Sequence, residues 1–487
     1  MGEEKKISSR AIGLVLGPVL ALALIFIGTP DGLSDEAWRV AALLVLMAVW
    51  WGTEAIPIPA TSLLPLVFIP LIGAGTTREA AVGYASPTVL LLLGGFVVAM
   101  GVERWNLHSR IALNIVVRAG DHMRLIIAGF MIATAVISAW ISNTATTIMM
   151  VPIAISVATE TGERSGRFEK ALLLGIAYSA SIGGAMTPIG TPTNLIAIDW
   201  LRVNTGEDIG FLQWMFFGVP AALLLVPLAW FVLTRGLPLH YSDQRGNGEG
   251  GAQAEIKDHL NALGRISTPE ARVAMVFGLI AFLWVFRLPI QNNLAGIPGL
   301  GWVTYMNDMG IAAFGAVLMF LVPSGGEEKR ALLTWDEAEK LPWGVLLLFG
   351  GGISLGNAVK STGLSEWLGG MLAGLQGAPT IVIILVVVAL VVYLTEVTSN
   401  VATMTTLAPV LGAFAIGVGA PPEAFLGPAA VAASCAFMLP VATAPNAIVY
   451  GSKHIYMKDM IQAGFWINLG AVVIITLIGT YLAPMVL

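Results

Sequence analysis

The sequence predicts an all-α polytopic membrane protein, with about 11 transmembrane helices plus two re-entrant hairpins arranged as an inverted repeat. Three observations carry that expectation. Of 487 residues, 56% are hydrophobic and only 11% charged, with a mean hydropathy of +0.82, whereas soluble domains carry about 25% charged residues. Two distant stretches interrupt apolar sequence with nearly the same polar motif. One is Ser142-Asn143-Thr144-Ala145-Thr146-Thr147 running into Pro152; the other is Ser399-Asn400-Val401-Ala402-Thr403-Met404-Thr405-Thr406 running into Pro409. The third observation is that Lys and Arg are distributed unequally between alternate loops, as membrane orientation requires.

The first apolar run, 11–28, follows Lys5, Lys6 and Arg10. That front end resembles a signal peptide, but no small-residue cleavage site follows it and more spans do, so a retained first helix is expected. Full spans are expected at 38–54, 57–73 and 86–103. From Glu103 to Val117, Trp105, Leu107, Ile111 and Ile115 stand opposite Arg104, His108 and Arg110, the pattern of a helix lying flat in the membrane interface. The apolar stretch 123–159 is interrupted by the first Ser-Asn motif. A helix needs about 20 residues to cross a bilayer, so this stretch is either two full spans or a hairpin that turns back. Polar tip groups need protein or water partners, which a tip beside a cavity provides, and that favours the hairpin. A span at 169–202 is broken at Thr187-Pro188-Ile189-Gly190-Thr191-Pro192-Thr193-Asn194, and a span at 211–235 follows.

A hydrophilic stretch from about 236 to 270 is expected to be a cytoplasmic linker, a flexible loop between two halves. Beyond it, spans are expected at 270–287, 307–323 and 343–361, then a second amphipathic piece from Lys360 through Trp367 to Leu375. The second hairpin is expected at 379–415, a second broken span at 424–451 with its break at Pro440-Val441-Ala442-Thr443-Ala444-Pro445-Asn446, and a last span at 461–485.

With the N-terminus in the cytoplasm, 20 of the 25 Lys and Arg residues fall in cytoplasmic segments, leaving Arg39, Arg78, Arg202, Arg287 and Lys360 outside. Two full spans in place of each hairpin would give the same count. Arginines and Lys170 flank the first hairpin, so it enters from the cytoplasm; only Lys360, Glu366 and Glu423 flank the second, so it enters from outside. Gly94 and Gly350, Ser142 and Ser399, and Asn194 and Asn446 are spaced by 256, 257 and 252 residues. Near-constant spacing with opposite polarity is the mark of an inverted-topology repeat, and paired broken segments point to a secondary transporter's site.

The chemistry follows from what these motifs lack. Neither Ser-Asn motif and neither break contains Asp, Glu, Lys, Arg or His, whereas a proton relay would place titratable groups inside the membrane. Helices starting near Thr144 and Val401, and restarting near Asn194 and Asn446, aim four positive dipole ends at the midplane and make an anion site without a cationic side chain. Carbonyls freed at the helix ends, with Ser and Asn oxygens, suit a hard monovalent cation such as Na+. One Ser-Thr cluster alone usually serves only interhelical hydrogen bonding; two at matched positions of a repeat point to a site. The lone Cys435 excludes a disulfide framework, and the five scattered His residues offer no metal-ligand spacing. Glu54 is expected to cap or pack a span, Glu396 to brace the second hairpin, and Gly94-Gly95 and Gly350-Gly351-Gly352 to be close helix contacts.

The residues carry a family resemblance. The run Ala433-Ser434-Cys435-Ala436-Phe437-Met438-Leu439-Pro440-Val441-Ala442-Thr443-Ala444-Pro445-Asn446-Ala447-Ile448-Val449 resembles the signature of the divalent anion/sodium symporter family, the carriers of dicarboxylates, citrate and sulfate. Ser142-Asn143-Thr144 resembles that family's first tip motif, and Thr53-Glu54-Ala55-Ile56-Pro57 is also similar. The resemblance implies a homodimer in the cell (inner) membrane, in which a transport domain moves as an elevator against a scaffold. Residues 1–120 would be scaffold and first arm, and 121–205 the first hairpin and broken helix. Residues 206–378 would be scaffold, linker and second arm, and 379–487 the second hairpin, broken helix and last span. Carried over by position, one Na+ site would use Ser138, Ser142, Asn143 and Gly190, and a second Thr395, Thr398, Asn400 and Ala442. Substrate carboxylates would meet Ser142, Asn143, Thr144 and Thr191 from one repeat and Ser399, Asn400 and Thr443 from the other. The chain departs from the pattern at Val401, where a hydroxyl residue is frequent, and at Ala444, where proline is common.

The expected function is Na+-coupled carriage of C4 dicarboxylates such as succinate, malate or fumarate, with Na+ as coupling ion. Within the class, the alternatives are a cation-independent dicarboxylate exchanger and a sulfate or tricarboxylate carrier. An anion channel is disfavoured because the breaks stop at mid-membrane from both sides. No enzyme is expected, since neither a nucleophile–base pair nor a metal cluster is visible, and no nucleic-acid partner is expected.

Overall fold

The structure is a computed structural model that describes residues 9–120, 122–160, 165–237, 252–325, 329–371 and 379–487. Regular structure among them is helical, apart from one isolated bridge between Pro323 and Ala331. Among the described residues, seven helices are long and apolar enough to cross a membrane: Arg10–Ile27, Thr77–Arg104, Phe211–Thr234, Thr268–Leu294, Trp343–Ser361, Asn400–Gly417 and Met457–Val486. By length and composition, then, the second arm of the expected second hairpin, Asn400–Gly417, is long and apolar enough to cross, whereas Met123–Ser138 and Thr380–Leu394, with 16 and 15 residues, are shorter.

Most expected elements lie within a few residues of their place, and the differences have local causes. The expected span 57–73 is two helices, Ile58–Thr61 and Leu64–Leu71; Pro59 and Pro65 each sit near a helix start, where a missing N–H costs least. The first amphipathic helix is Leu107–Val116 and starts late, because Asn106 adopts a left-handed φ of 55°. Trp105 ends the previous helix instead and donates its indole N–H to the Leu332 carbonyl at 2.8 Å. Of the second amphipathic piece, Leu364–Met371 is helical, and 372–378 lie outside the described residues.

The linker differs most. Residues 238–251 lie outside the described part, but Ala252–Ala262 is a helix. It buries Ala252 and Ile256 against the first amphipathic helix and Asn143–Glu160. Gln253 donates to the Val117 carbonyl at 2.6 Å, and Ser156 donates to Glu255. Arg110 then fixes the linker's end by donating to the Leu263 and Gly264 carbonyls and pairing with buried Glu270.

Nearby, Glu337 accepts hydrogen bonds from the Thr334 N–H and the Arg104 and Arg330 guanidiniums. Partial burial opposes ionisation, but those three donors outweigh it and hold the carboxyl down at about 2.

Of the glycines expected to be close helix contacts, Gly94, Gly350, Gly351 and Gly352 are, whereas a Cβ on Gly95 would make only an ordinary contact with Ile189 at 3.5 Å. A Cβ on Gly94 would stand 2.6 Å from the Ala312 backbone, and one on Gly351 would strike the Ser62 carbonyl. Glu54, in the left-handed conformation at φ 49°, caps Asp35–Thr53, and its carbonyl accepts from Arg10.

Candidate functional site

Each repeat supplies a helix pair followed by a broken helix. The first pair is Met123–Ser138 and Asn143–Glu160, and the second is Thr380–Leu394 and Asn400–Gly417. The broken helices are Arg167–Gly184 with Pro192–Thr205, and Glu423–Ala433 with Ala444–Gly451. Packing crosses between the repeats. Pro192–Thr205 lies against Asn400–Gly417, and Ala444–Gly451 lies against Asn143–Glu160. A Cβ on Gly412 would overlap the Trp200 ring, so the glycine permits that approach. Buried Thr193 and Ser434 meet across the repeats, their hydroxyls 3.2 Å apart.

At the first tip, the Ser138 hydroxyl lies 2.6 Å from Asn143 Oδ1 and 2.7 Å from the Ala180 carbonyl oxygen. One hydroxyl proton cannot serve both acceptors, so this is a cluster of three oxygens with a single proton among them. The second tip repeats it: Thr395 Oγ1 lies 2.8 Å from Asn400 Oδ1 and 2.9 Å from the Ala433 carbonyl oxygen. Ser138 and Thr395 are both fully buried. Around the first cluster the chain is pared to glycine. A Cβ on Gly184 would come 2.8 Å from Asn143 Oδ1, and one on Gly190 would come 2.5 Å from the Gly184 carbonyl oxygen and 2.9 Å from that of Ala139. Such concentrations of neutral oxygen suit a hard cation.

The breaks are held by one device used twice. Asn194 Nδ2 donates to the Gly184 and Thr187 carbonyls at 2.9 and 2.7 Å. Asn446 Nδ2 donates to Ala436 and Leu439 at 2.9 and 3.0 Å. Both clamps reach back 10 and 7 residues, so each Asn closes its own break. The helices therefore restart at Pro192 and Ala444, two residues before the clamping Asn. Thr443 caps its helix by accepting from the Asn446 N–H at 3.2 Å, while Thr191 stands at the matching position without a side-chain cap bond.

Of the sequence-predicted residues, the structure brings Ser138, Asn143 and Gly190 together in one repeat, and Thr395 and Asn400 in the other. Ser142 is exposed and accepts from the Ala145 N–H at 3.1 Å, at the head of its helix, and Thr144 is exposed beside it. Ser399 is the half-buried N-cap residue of Asn400–Gly417. Thr398 is occupied within its own helix pair, donating to the Leu394 carbonyl at 2.9 Å and lying 2.5 Å from Thr403 Oγ1. Ala442 is buried in the turn of the second break, its N–H bonded to the Leu439 carbonyl at 3.3 Å. Sequence reasoning missed the Ala180 and Ala433 carbonyls, the clamping by Asn194 and Asn446, and Asn468, whose amide donates to Glu396 at 2.6 Å.

Comparison with known proteins agrees with this architecture. Residues 8–487 match the family described as the sodium:sulfate symporter transmembrane region. A sodium-dependent dicarboxylate transporter of Staphylococcus saprophyticus is 40% identical over 488 residues, covering 98% of this chain and 92% of that protein. One from Staphylococcus aureus is 40% identical over 492 residues, covering 99% and 92%. Among solved structures, the fold is similar to the YdaH transporter of Alcanivorax borkumensis, with TM-score 0.60, 16% identity and coverage of 96% of this chain and 99% of that one. It is also similar to MtrF of Neisseria gonorrhoeae, with TM-score 0.57, 13% identity and coverage of 94% and 97%.

Proposed function

The chain belongs to the sodium:sulfate symporter family, and on that premise we propose that it is a Na+-coupled secondary transporter of C4 dicarboxylates such as succinate, malate and fumarate. The observation that carries this is the matched pair of oxygen clusters, Ser138–Asn143–Ala180 and Thr395–Asn400–Ala433. Each cluster takes one Na+, with Ser142 and Gly190 completing the first site and Thr398 and Ala442 the second. Beside each cluster a helix begins at Pro192 or Ala444, directly after the N-cap residue Thr191 or Thr443, and the tip helices begin at Asn143 and Asn400. Four N-termini supply N–H donors and positive dipole ends for two carboxylates. Ser142, Asn143, Thr144 and Thr191 bind one carboxylate, and Ser399, Asn400 and Thr443 the other.

Each Asn links the two ligands: its Oδ1 belongs to the cation cluster, and its amide N–H groups are donors for the anion. Filling the cation site draws Oδ1 inward and fixes the amide, so the anion meets a pre-organised donor. The relatives' naming as sodium-dependent dicarboxylate transporters supports this cargo.

In this proposal the protein is a homodimer in the cell membrane with a cytoplasmic N-terminus. The two helix pairs are re-entrant hairpins that move with the broken helices as an elevator against the scaffold. The test is uptake of labelled succinate into proteoliposomes, with and without an inward Na+ gradient and with succinate preloaded. Uptake driven by the gradient into empty vesicles is expected. Uptake that needs internal succinate and ignores Na+ would make it an exchanger.

A further inference from the structure

We propose that Glu396 puts a formal negative charge behind the second oxygen cluster, so that the two cation sites are unequal and the second fills at lower Na+ concentration. This rests on the sodium-coupled proposal above.

Glu396 is 4% exposed, and its carboxylate meets only donors. Oε1 accepts from the Phe437 and Met438 N–H groups at 2.7 and 2.9 Å and from Asn468 Nδ2 at 2.6 Å. Oε2 accepts from Met438 and Leu439 at 3.1 and 3.0 Å. A protonated acid would turn one oxygen into a donor facing donors, so the geometry is that of an ionised carboxylate. The ion pairs among the described residues leave it out. Its charge is spread over three backbone N–H groups and an amide instead of being cancelled.

The repeats differ at this point. The residue 257 positions before Glu396 is Ala139. There the Thr187 hydroxyl donates to the Ala139 carbonyl and accepts from the Gly190 N–H. The first break is thus tied to its tip by a neutral group, and the second by an anion. The second break is also polarised: its N–H groups face Glu396, while its Ala436 and Leu439 carbonyls face Asn446.

Glu396 is the chain neighbour of Thr395, a member of the cluster. At an effective dielectric of ~20, a carboxylate with no countercharge close behind a monovalent cation strengthens its binding roughly tenfold or more. The first repeat carries alanine, Ala139, at the position of Glu396. Glu396 is therefore a positioning residue with an electrostatic effect, and it touches neither cargo.

The test follows Na+ binding to the purified full chain by thermal shift, with K+ replacing Na+ at constant ionic strength. Two phases are expected for the wild type. Thr395→Ala should remove the low-concentration phase and Ser138→Ala the high-concentration one. Glu396→Gln, which keeps size but not charge, should move the low phase upward at least tenfold. Glu396→Asp, which keeps charge but shortens the brace, should hold it within about threefold while transport slows. Loss of the phases in the opposite order would overturn the proposal, as would equal shifts in the Gln and Asp variants. If Glu396→Gln does not fold, the order read from Thr395→Ala and Ser138→Ala decides. A wild type indifferent to Na+ would instead refute the sodium-coupled proposal itself.

Discussion

Asn143 and Asn400 carry the largest share of the proposed site for their size, because each amide faces a cation cluster with one end and the anion with the other. Losing a hydrogen bond to a charged group costs about 1.5–3 kcal/mol, or roughly 10- to 150-fold in affinity. Asn143→Ala and Asn400→Ala are each expected to abolish succinate uptake while gel filtration and melting temperature stay near wild type. Near-normal uptake in both variants would remove the site. These residues were legible in the sequence because a carboxamide between hydroxyls stands out within apolar sequence. Their carbonyl partners Ala180 and Ala433 were not, since any residue carries a carbonyl and only the folded chain aims it. Asn468 was equally silent: a lone Asn in an apolar helix has no spacing that announces its partner, here 72 residues away.

At the scale of elements, proline and the repeat spacing were the readable signals. Pro152 and Pro409 lie at matched places in Asn143–Glu160 and Asn400–Gly417, and both breaks were visible from their Pro-Thr-Asn composition. The linker helix Ala252–Ala262 was not, because its short buried face of Ala252 and Ile256 sits in polar sequence that reads as loop. The contact that matters for motion is between Lys360, at the end of Trp343–Ser361, and the Val203 carbonyl near the end of Pro192–Thr205. In the proposed elevator these helices belong to scaffold and transport domain, so the contact must break in each cycle. Lys360→Cys with Val203→Cys, joined by a short bismaleimide, is expected to stop turnover and spare substrate-dependent thermal stabilisation. The native Cys435 is fully buried and does not compete. Full turnover in completely crosslinked protein would favour local gating over domain movement.

For the whole molecule, the question is which anion such a site selects. In the proposed assembly the cargo meets helix N-termini, hydroxyls, carboxamides and Na+, with no titratable side chain among Ser142, Asn143, Thr144, Thr191, Ser399, Asn400 and Thr443. Charge selection therefore comes from matching the anion to two Na+ and four dipole ends, which suits a dianion. Thr144 in the first tip corresponds to Val401 in the second, so the second half offers one hydroxyl donor fewer and nothing for a third carboxylate. Succinate, with carboxyl pKa values roughly between 4 and 6, is almost wholly divalent at neutral pH, whereas citrate is mainly trivalent. Succinate uptake should fall as pH drops below about 6, in step with the dianion, and citrate should compete weakly. When the dianion concentration is held fixed, uptake should be flat between pH 6 and 8. A steep change under that condition would mean that a protein group, with Glu396 the first candidate, exchanges a proton during the cycle, and a site of fixed charge would then be the wrong description.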